Sequence, residues 1–593
     1  MTEENGMLYP RESSTREVRE LGGFWEFAKD KEDEGVRKRW FANPPATRPM
    51  AVSSSYNEQT ADDDLWEYFG AVWFFKRFIV PASWAGKRIV LRFGAVHYGS
   101  RVWLDGRAVT RNEGGSLPFE VEITRRAAPG KEHLLAVRVD STLSRTTIPP
   151  TLPWKQTGRP FEYYFDFLNM SGIHRPVRLY TTAKTYLADI TCVPWIKGTE
   201  GGFDISFAVS GRFDSVKFTA LDVRGRAVAS VLAKGGKANV TIPGCRFWSP
   251  ETPYLYTLRT EVVRAGEVVD EYPLPVGVRT VEIRGNRFLL NGKNVYFKGA
   301  SRHEDFPVVG RGMNEAVLVK DFSMMKWMNV NSYRTAHYPH SEEEMNLADR
   351  VGIMIIDEAP AVGMNDWTHR IFVKGLIDEK TRKVHLDMIR RMYERDKNHP
   401  CVVMWSIADE PASNERAWVW YSKPLFAFLR AHDKQKRPVS FATTSHDFEE
   451  KSGQLCDLIL LNRYYGWYQR TGQLNNIEQP LSEELDGWYR KFRKPIIFEE
   501  FGADTIEGFH HQPPLIFSEE YQLELTKRTC KVLDSKPYVI GEHIWVMFDF
   551  ATKQDLRRVW GNRKGIMTRL RQPKMTAHWL RERWGREARG GRK

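Results

Sequence analysis

No apolar run among the 593 residues is long and uncharged enough to span a bilayer, and the opening stretch MTEENGMLYPRESSTREVRELGG has no apolar core of leader length. The expectation is a cytoplasmic protein without membrane contact, although a mature form that had shed its leader would read the same. Cysteine is scarce. Cys192, Cys245, Cys401, Cys456 and Cys530 are odd in number and lack CxxC spacing, which disfavours a disulfide framework or thiolate metal site and favours buried thiols in a reducing compartment. Low-complexity stretches are missing too, and 41% hydrophobic with 27% charged residues is the composition of a folded globular chain. The 88 Lys and Arg against 75 Asp and Glu leave a formal charge of +13. Those cations are spread along the chain apart from the tail RGGRK, and no nucleic-acid motif accompanies them. Nucleic acid is therefore disfavoured relative to an acidic surface or an anionic small substrate.

What is present divides into three rhythms, and the length alone calls for several domains. Residues 1–182 show short, aromatic-rich alternating strands such as GAVWFFKRFIVP and HLLAVRVDS, the pattern of a β jelly roll. Within them RVWLDGRAV reads as a hairpin, with Asp105 and Gly106 suited to a type I′ turn. Residues 183–280 continue with smaller residues, as in DISFAVSG and SVKFTALDV, and suit an immunoglobulin-like sandwich interrupted by the Pro-rich RFWSPETPYLY. From 281 to 593 strands and helices alternate. NVYFKGAS, VNSYRT, GIMIIDE, VVMWSIADE, PVSFAT, DLILLNRYY, PIIFEEFG and EHIWVMFDF supply eight buried strands, with amphipathic stretches such as EKTRKVHLDMIRRMYERDKN between most of them. That count is what a (β/α)8 TIM barrel requires.

Function in such a barrel collects after each strand, and so do the polar residues here. The run CVVMWSIADEP is an apolar strand that ends abruptly in Asp409, Glu410 and Pro411. His303 and Glu304 follow the first strand, His337 the second, Asp357 and Glu358 the third, Asn462 and Tyr464 the sixth, Glu499 and Glu500 the seventh, and Trp545 and Asp549 end the eighth. Acids delivered by the fourth and seventh strands face one another across a barrel mouth, the arrangement of a retaining glycosidase, which needs a protonated acid and an ionised nucleophile about 5 Å apart. Tyr464, Tyr465, Trp467, Tyr468 and Trp545 offer flat faces for a sugar. Taken singly, each of these residues reads equally well as core or as a local ion pair.

Specific runs then narrow the reading. FDFLNMSGIHRPVRLYTT, SRHED, NVNSYRTAHYP, IIDE, KNHPCVVMWSI, LNRYYGWY, EEFGADT and GNRKG make the chain resemble glycoside hydrolase family 2, and within it the β-glucuronidases, over essentially its full length. The resemblance implies an exo-acting enzyme on β-D-glucuronide small molecules or glycoconjugates, with Glu410 as general acid/base and Glu500, directly before Phe501 and Gly502, as nucleophile. It implies substrate contacts from Asp166, His337, Asp409, Asn462, Tyr464, Tyr468, Trp545, Arg558, Asn562 and Lys564. Asn562 and Lys564, within GNRKG, match the pair that holds the glucuronate carboxylate. An amide donor and a fixed ammonium make charge-assisted hydrogen bonds there, and a neutral hexose would leave the cation unpaired. No metal or organic cofactor is implied, since the carboxyl pair suffices, and a homotetramer is.

One position departs from the pattern. The family places Asn immediately before the acid, and this chain has Asp409, which when ionised cannot donate and adds charge beside the nucleophile. Asn112 stands where His is common, and the stretch from Glu358 to His385 is too modest to assign a substrate-gating loop. Two alternatives therefore stay open: a relative acting on galacturonides or neutral β-glycosides, and a sugar-binding homologue weakened by Asp409.

Overall fold

The computed structural model describes residues 7–61, 63–152, 165–366, 368–553 and 556–589. The tail from Gly590 to Lys593 lies outside them. Near the N-terminus, alternating apolar positions pair into an antiparallel sheet of four strands and another of six, which share one core built from Trp25, Phe74, Trp84 and Leu91. The predicted hairpin forms there: Gly99–Leu104 pairs with Arg107–Glu113, and Asp105 and Gly106 adopt φ of 48° and 76°. Two positive φ values are what a type I′ turn demands.

A second sandwich follows. Tyr186–Lys197, Glu200–Ser210 and Lys237–Ile242 form one sheet. Ser215–Leu221, Ala227–Ala233, Tyr256–Arg264 and Glu267–Val276 form the other. The Pro-rich interruption docks this unit on the barrel: Trp248 is buried and donates its indole N–H to the Asp349 carbonyl at 2.8 Å.

The barrel closes through eight parallel strands. They are β1 (Phe297–Arg302), β2 (Ser332–Thr335), β3 (Met354–Glu358), β4 (Val402–Asp409), β5 (Val439–Thr443), β6 (Ile459–Asn462), β7 (Ile496–Glu500) and β8 (Val539–Ile544). Helices α1 (Glu315–Trp327), α2 (Glu342–Val351), α3 (Glu379–Asp396), α4 (Arg416–His432), α5 (Glu478–Phe492), α6 (Glu519–Asp534) and α7 (Met575–Arg589) surround it. Between β5 and β6 the chain makes only the single turn Gly453–Leu455. Caps start several helices where short polar residues precede apolar periodicity, as where the Ser341 side chain accepts the Glu344 N–H and the Ser518 side chain that of Tyr521.

Two strand boundaries differ from the sequence reading. Lys293–Val295 belongs to a small antiparallel sheet before the barrel, so β1 starts later than NVYFKGAS implied. β8 ends at Ile544, the last residue paired with β1, so Trp545 and Asp549 lie beyond the strand instead of closing it. The reason is a second pairing: Phe548 bridges Met567 and Phe550 bridges Asn562, which folds the second apolar block onto the GNRKG segment.

Buried ion pairs hold the first sandwich against the barrel mouth. Arg92 donates to both oxygens of Glu342 on α2 at 2.8 Å, with both side chains buried. Arg175 donates to Glu304 at 3.0 Å and to the Pro339 carbonyl at 2.7 Å. Removing one member of such a pair strands the other without its counter-charge. Arg92→Leu is expected to lower the unfolding free energy by about 3–5 kcal/mol, read from the first calorimetric transition, and adding Glu342→Leu to recover most of that loss. Equal damage from the single and double variants would contradict this.

Candidate active site

Strand ends of the barrel, the segment after β3 and two residues from the first sandwich, Phe165 and Asp166, enclose a cavity of about 200 Å³. Asp166, His337, Asp409, Glu410, Tyr464, Tyr468, Glu500, Trp545 and Arg558 all line it, so nine sequence-predicted residues share one wall. The volume lies below the roughly 300–1,000 Å³ of drug-sized sites and suits a single sugar ring. A larger cavity, about 740 Å³, opens beyond Arg558 between Trp66, Pro307, Trp560 and Leu570. It lacks the two opposed acids, so the chemistry belongs to the smaller one.

Geometry in the cavity is set by Arg334, a β2 residue absent from the sequence-derived site. Fully buried, its guanidinium reaches four acids. Nε donates to Glu499 at 3.0 Å, Nη1 to Glu358 at 2.6 and 2.7 Å and to Asp409 at 3.2 Å, and Nη2 to Glu500. The Tyr464 hydroxyl donates to the second oxygen of Glu500 at 2.7 Å. Glu410 accepts from the Asn462 amide at 2.8 Å. Its backbone carries φ of 43°, a region non-glycine residues seldom occupy, and its N–H is fixed on the Ala442 carbonyl at 2.9 Å. Such backbone strain costs about 1–3 kcal/mol and persists only where surrounding structure imposes it. His337 stacks on Trp545 at 5.0 Å and meets Glu358 at 3.0 Å, forming the floor.

So many acids around one cation cannot all ionise. Burial, then the charges of Glu500 and Glu410, raises Asp409 well above the ordinary aspartate range. Burial also raises Glu410, restrained by Asn462 and Arg334. Glu500 is pushed up by burial to about 8, with Glu410 adding and Arg334 and Tyr464 opposing. Glu358 goes the other way: Arg334, and then His337, overcome the penalty of its burial. One oxygen of Glu500 sits on a guanidinium and the other on a phenol at 2.7 Å, both favouring its anion, whereas the contacts of Asp409 are longer, from Arg334 at 3.2 Å and from Asn462 and His337 at 3.4 Å. Those contacts favour the anion of Glu500 over that of Asp409. His337, Asp409 and Glu500 present ligand-type atoms within 4.8 Å of one another, but Arg334 contacts all three, so a metal ion there would meet a cation.

At the far end, the Asp166 carboxylate accepts Arg558 Nε at 3.0 and 2.9 Å and the Asn562 amide at 2.8 Å. Lys564 is fully buried and donates to Asp504 at 2.6 Å and to the Tyr468 hydroxyl at 2.9 Å. Asn562 and Lys564 stand behind the lining rather than in it, touching residues that form it. Gly561 and Gly565 make their turn possible: a Cβ at Gly561, where φ is 113°, would lie 2.6 Å from the Phe550 carbonyl oxygen, and one at Gly565 2.2 Å from the Asp549 nitrogen.

Several strand-end residues play other parts. Asp357 lies back to back with Glu358, as pleating dictates, and is bonded to Thr335. Tyr465 points away and donates to Glu484 at 2.9 Å, so it offers no sugar platform. Trp467 is buried 5.4 Å from the Lys564 ammonium. Asn112 accepts from Arg391 at 3.0 Å in the contact between sandwich and barrel. Arg334 and Asp504 were missed because each sits inside a motif noticed for a neighbour, Arg334 in NVNSYRTAHYP and Asp504 in EEFGADT; the one readable signal was a lone arginine within a buried strand.

Comparison with known proteins agrees with this layout. Residues 18–183 match the sugar binding domain model of the glycosyl hydrolases family 2, residues 199–279 the family 2 model itself, and residues 281–588 the family's TIM barrel domain. A protein of Paenibacillus borealis named beta-glucuronidase is 42% identical over 590 residues, covering 98% of each chain. The structure of beta-D-glucuronidase from Dictyoglomus thermophilum is 40% identical with a TM-score of 0.92, covering 98% of this chain and 99% of that one. That of the Ruminococcus gnavus b-glucuronidase in complex with uronic isofagomine is 36% identical with a TM-score of 0.93, covering 98% and 100%.

The crowding of acids bears on stability. Asp409 is raised in the fold above its unfolded value of about 3.9, so the folded chain binds the extra proton; this contribution is complete below that value and is lost as pH rises through the folded one. Asp409→Asn removes the titration. Its melting temperature is expected to exceed wild type by about 2–4 °C at pH 8, with the gain vanishing towards pH 4. A difference independent of pH would contradict the assignment.

Proposed function

The chain belongs to glycosyl hydrolase family 2, and from that premise we propose that it hydrolyses β-D-glucuronides to D-glucuronate and an alcohol with retention of configuration. The observation that carries this reading is the pairing of Glu410 and Glu500 on one sugar-sized cavity whose far end is backed by a buried ammonium. Glu500 attacks the anomeric carbon while Glu410 gives its proton to the aglycone oxygen. The glycosyl-enzyme is then hydrolysed by a water that Glu410 deprotonates. Burial raises both carboxyls; Glu410, with only the Asn462 amide on it among the described contacts, suits the acid, and the Arg334 and Tyr464 contacts stabilise the Glu500 anion that attacks. Asp409, holding a proton, supplies the donor that an amide would otherwise offer the 2-hydroxyl, which favours a working enzyme over a binding homologue.

Recognition falls to the other end. Lys564 and Asn562 take the C6 carboxylate, while Asp166 and Arg558 order the ring hydroxyls nearest to it. His337 and Trp545 support the sugar face, with Tyr468 between the cations. The same proposal includes a homotetramer, on family resemblance, and a cytoplasmic site, supported by scattered cysteines that lack CxxC spacing. No helix among the described residues is long and apolar enough to cross a membrane.

Chromogenic glucuronide, galacturonide and glucoside test the reading together. The glucuronide is expected to lead the glucoside by about 10³-fold or more in kcat/KM, because a neutral C6 leaves a buried cation unanswered. A glucoside hydrolysed as well as the glucuronide would defeat the proposal, and an equal rate on the galacturonide would broaden it to both uronides.

A further inference from the structure

Resting on that reading, we infer that Asp504 is a positioning residue for uronate recognition, acting through Lys564. Its carboxylate joins the segment leaving β7, which carries Glu500, to the turn that carries the recognition residues. Oδ1 accepts the backbone N–H of Arg563 at 2.7 Å and so fixes the turn itself. Oδ2 accepts Lys564 Nζ at 2.6 Å and Arg558 Nη1 at 3.1 Å. One buried acid thus sets the backbone and both cations at the uronate end of the cavity.

The need for such a residue follows from what lysine is. Its four-carbon stem is flexible, and a buried ammonium without a counter-charge is unstable. Among the described residues Lys564 meets three rings, Tyr464, Trp467 and Tyr468, at 5.9, 5.4 and 4.8 Å, and one carboxylate, Asp504. The rings attract the cation without fixing its direction. Asp504 and the Tyr468 hydroxyl take two of its three donors. The third has no acceptor among the described contacts, and the proposal assigns it to the uronate carboxylate. Because Asp504 lies in the segment that leaves β7 directly after Glu500, it ties the ammonium to the nucleophile's part of the chain.

A purely electrostatic competitor would behave oppositely. An acid beside the cation that merely opposed an incoming carboxylate would weaken binding, and its removal would tighten it. Asp504→Asn keeps an oxygen for the Arg563 N–H and removes the charge. The proposal expects KM for a chromogenic glucuronide to rise tenfold or more, with kcat within about threefold of wild type. It expects the same substitution made on Lys564→Gln to raise KM by less than a third as much, since most of its effect runs through that ammonium and only the rest through Arg558 and the Arg563 backbone. An unchanged or lower KM in Asp504→Asn overturns the proposal, as does an equal loss in the Lys564→Gln background or a fall confined to kcat. If Asp504→Asn does not fold, Asp504→Glu, which shifts the charge by one methylene, is read by the same criteria. A wild-type enzyme inactive on glucuronides would instead remove the functional reading on which this rests.

Discussion

The active site depends on one guanidinium. Arg334 is buried at the end of β2 with Glu358, Glu499, Glu500 and Asp409 around it, and none of these acids has another full cation among its described contacts. A buried carboxylate without a counter-charge is costly. Unequal sharing makes them differ. Glu358 takes two short bonds and is held below its usual range, while Asp409 takes one long bond and is raised well above it. A site meant for one ionised and one protonated acid needs that asymmetry.

The fold delivers these groups through ordinary barrel geometry. Parallel strands put alternate residues inward, and the last of each strand reaches the mouth. Glu410 is the exception, since its positive φ turns the chain just past β4 and places its carboxyl on the cavity beside the Asn462 amide. The second apolar block after β8 then folds back to bridge Asn562, and Asp166 arrives from the first sandwich to meet Arg558. Substrate end and reaction end are thereby built from different parts of the chain, with Asp504 linking them.

Much of this was legible in the sequence, for reasons that differ by element. Buried parallel strands read as apolar blocks ending in acids, so all eight were found, and EKTRKVHLDMIRRMYERDKN announced α3 by its periodicity. β8 was read too far because HIWVMFDF is one apolar run that serves two pairings, and composition does not mark the break at Ile544. GNRKG stood out by resemblance, and its flanking glycines permit the turn because their Cβ positions would meet backbone atoms. Arg334 and Asp504 left weaker traces: pattern cannot say which acids a lone arginine will collect, nor that an aspartate past a strand will bind a lysine sixty residues on. The choice between Glu499 and Glu500 came from resemblance alone. In the fold both touch Arg334, but only Glu500 lines the cavity, while Glu499 turns to His543 at 2.9 Å.

That distinction is also where the account is most exposed. Incubation with a 2-deoxy-2-fluoro-β-glucuronosyl fluoride, which slows turnover of a glycosyl-enzyme, followed by digestion and peptide mass spectrometry, locates the nucleophile directly. The account predicts a single adduct on Glu500 with loss of fluoride; an adduct on Glu499 or Glu410, or turnover of the reagent with no adduct on any carboxylate, would contradict it.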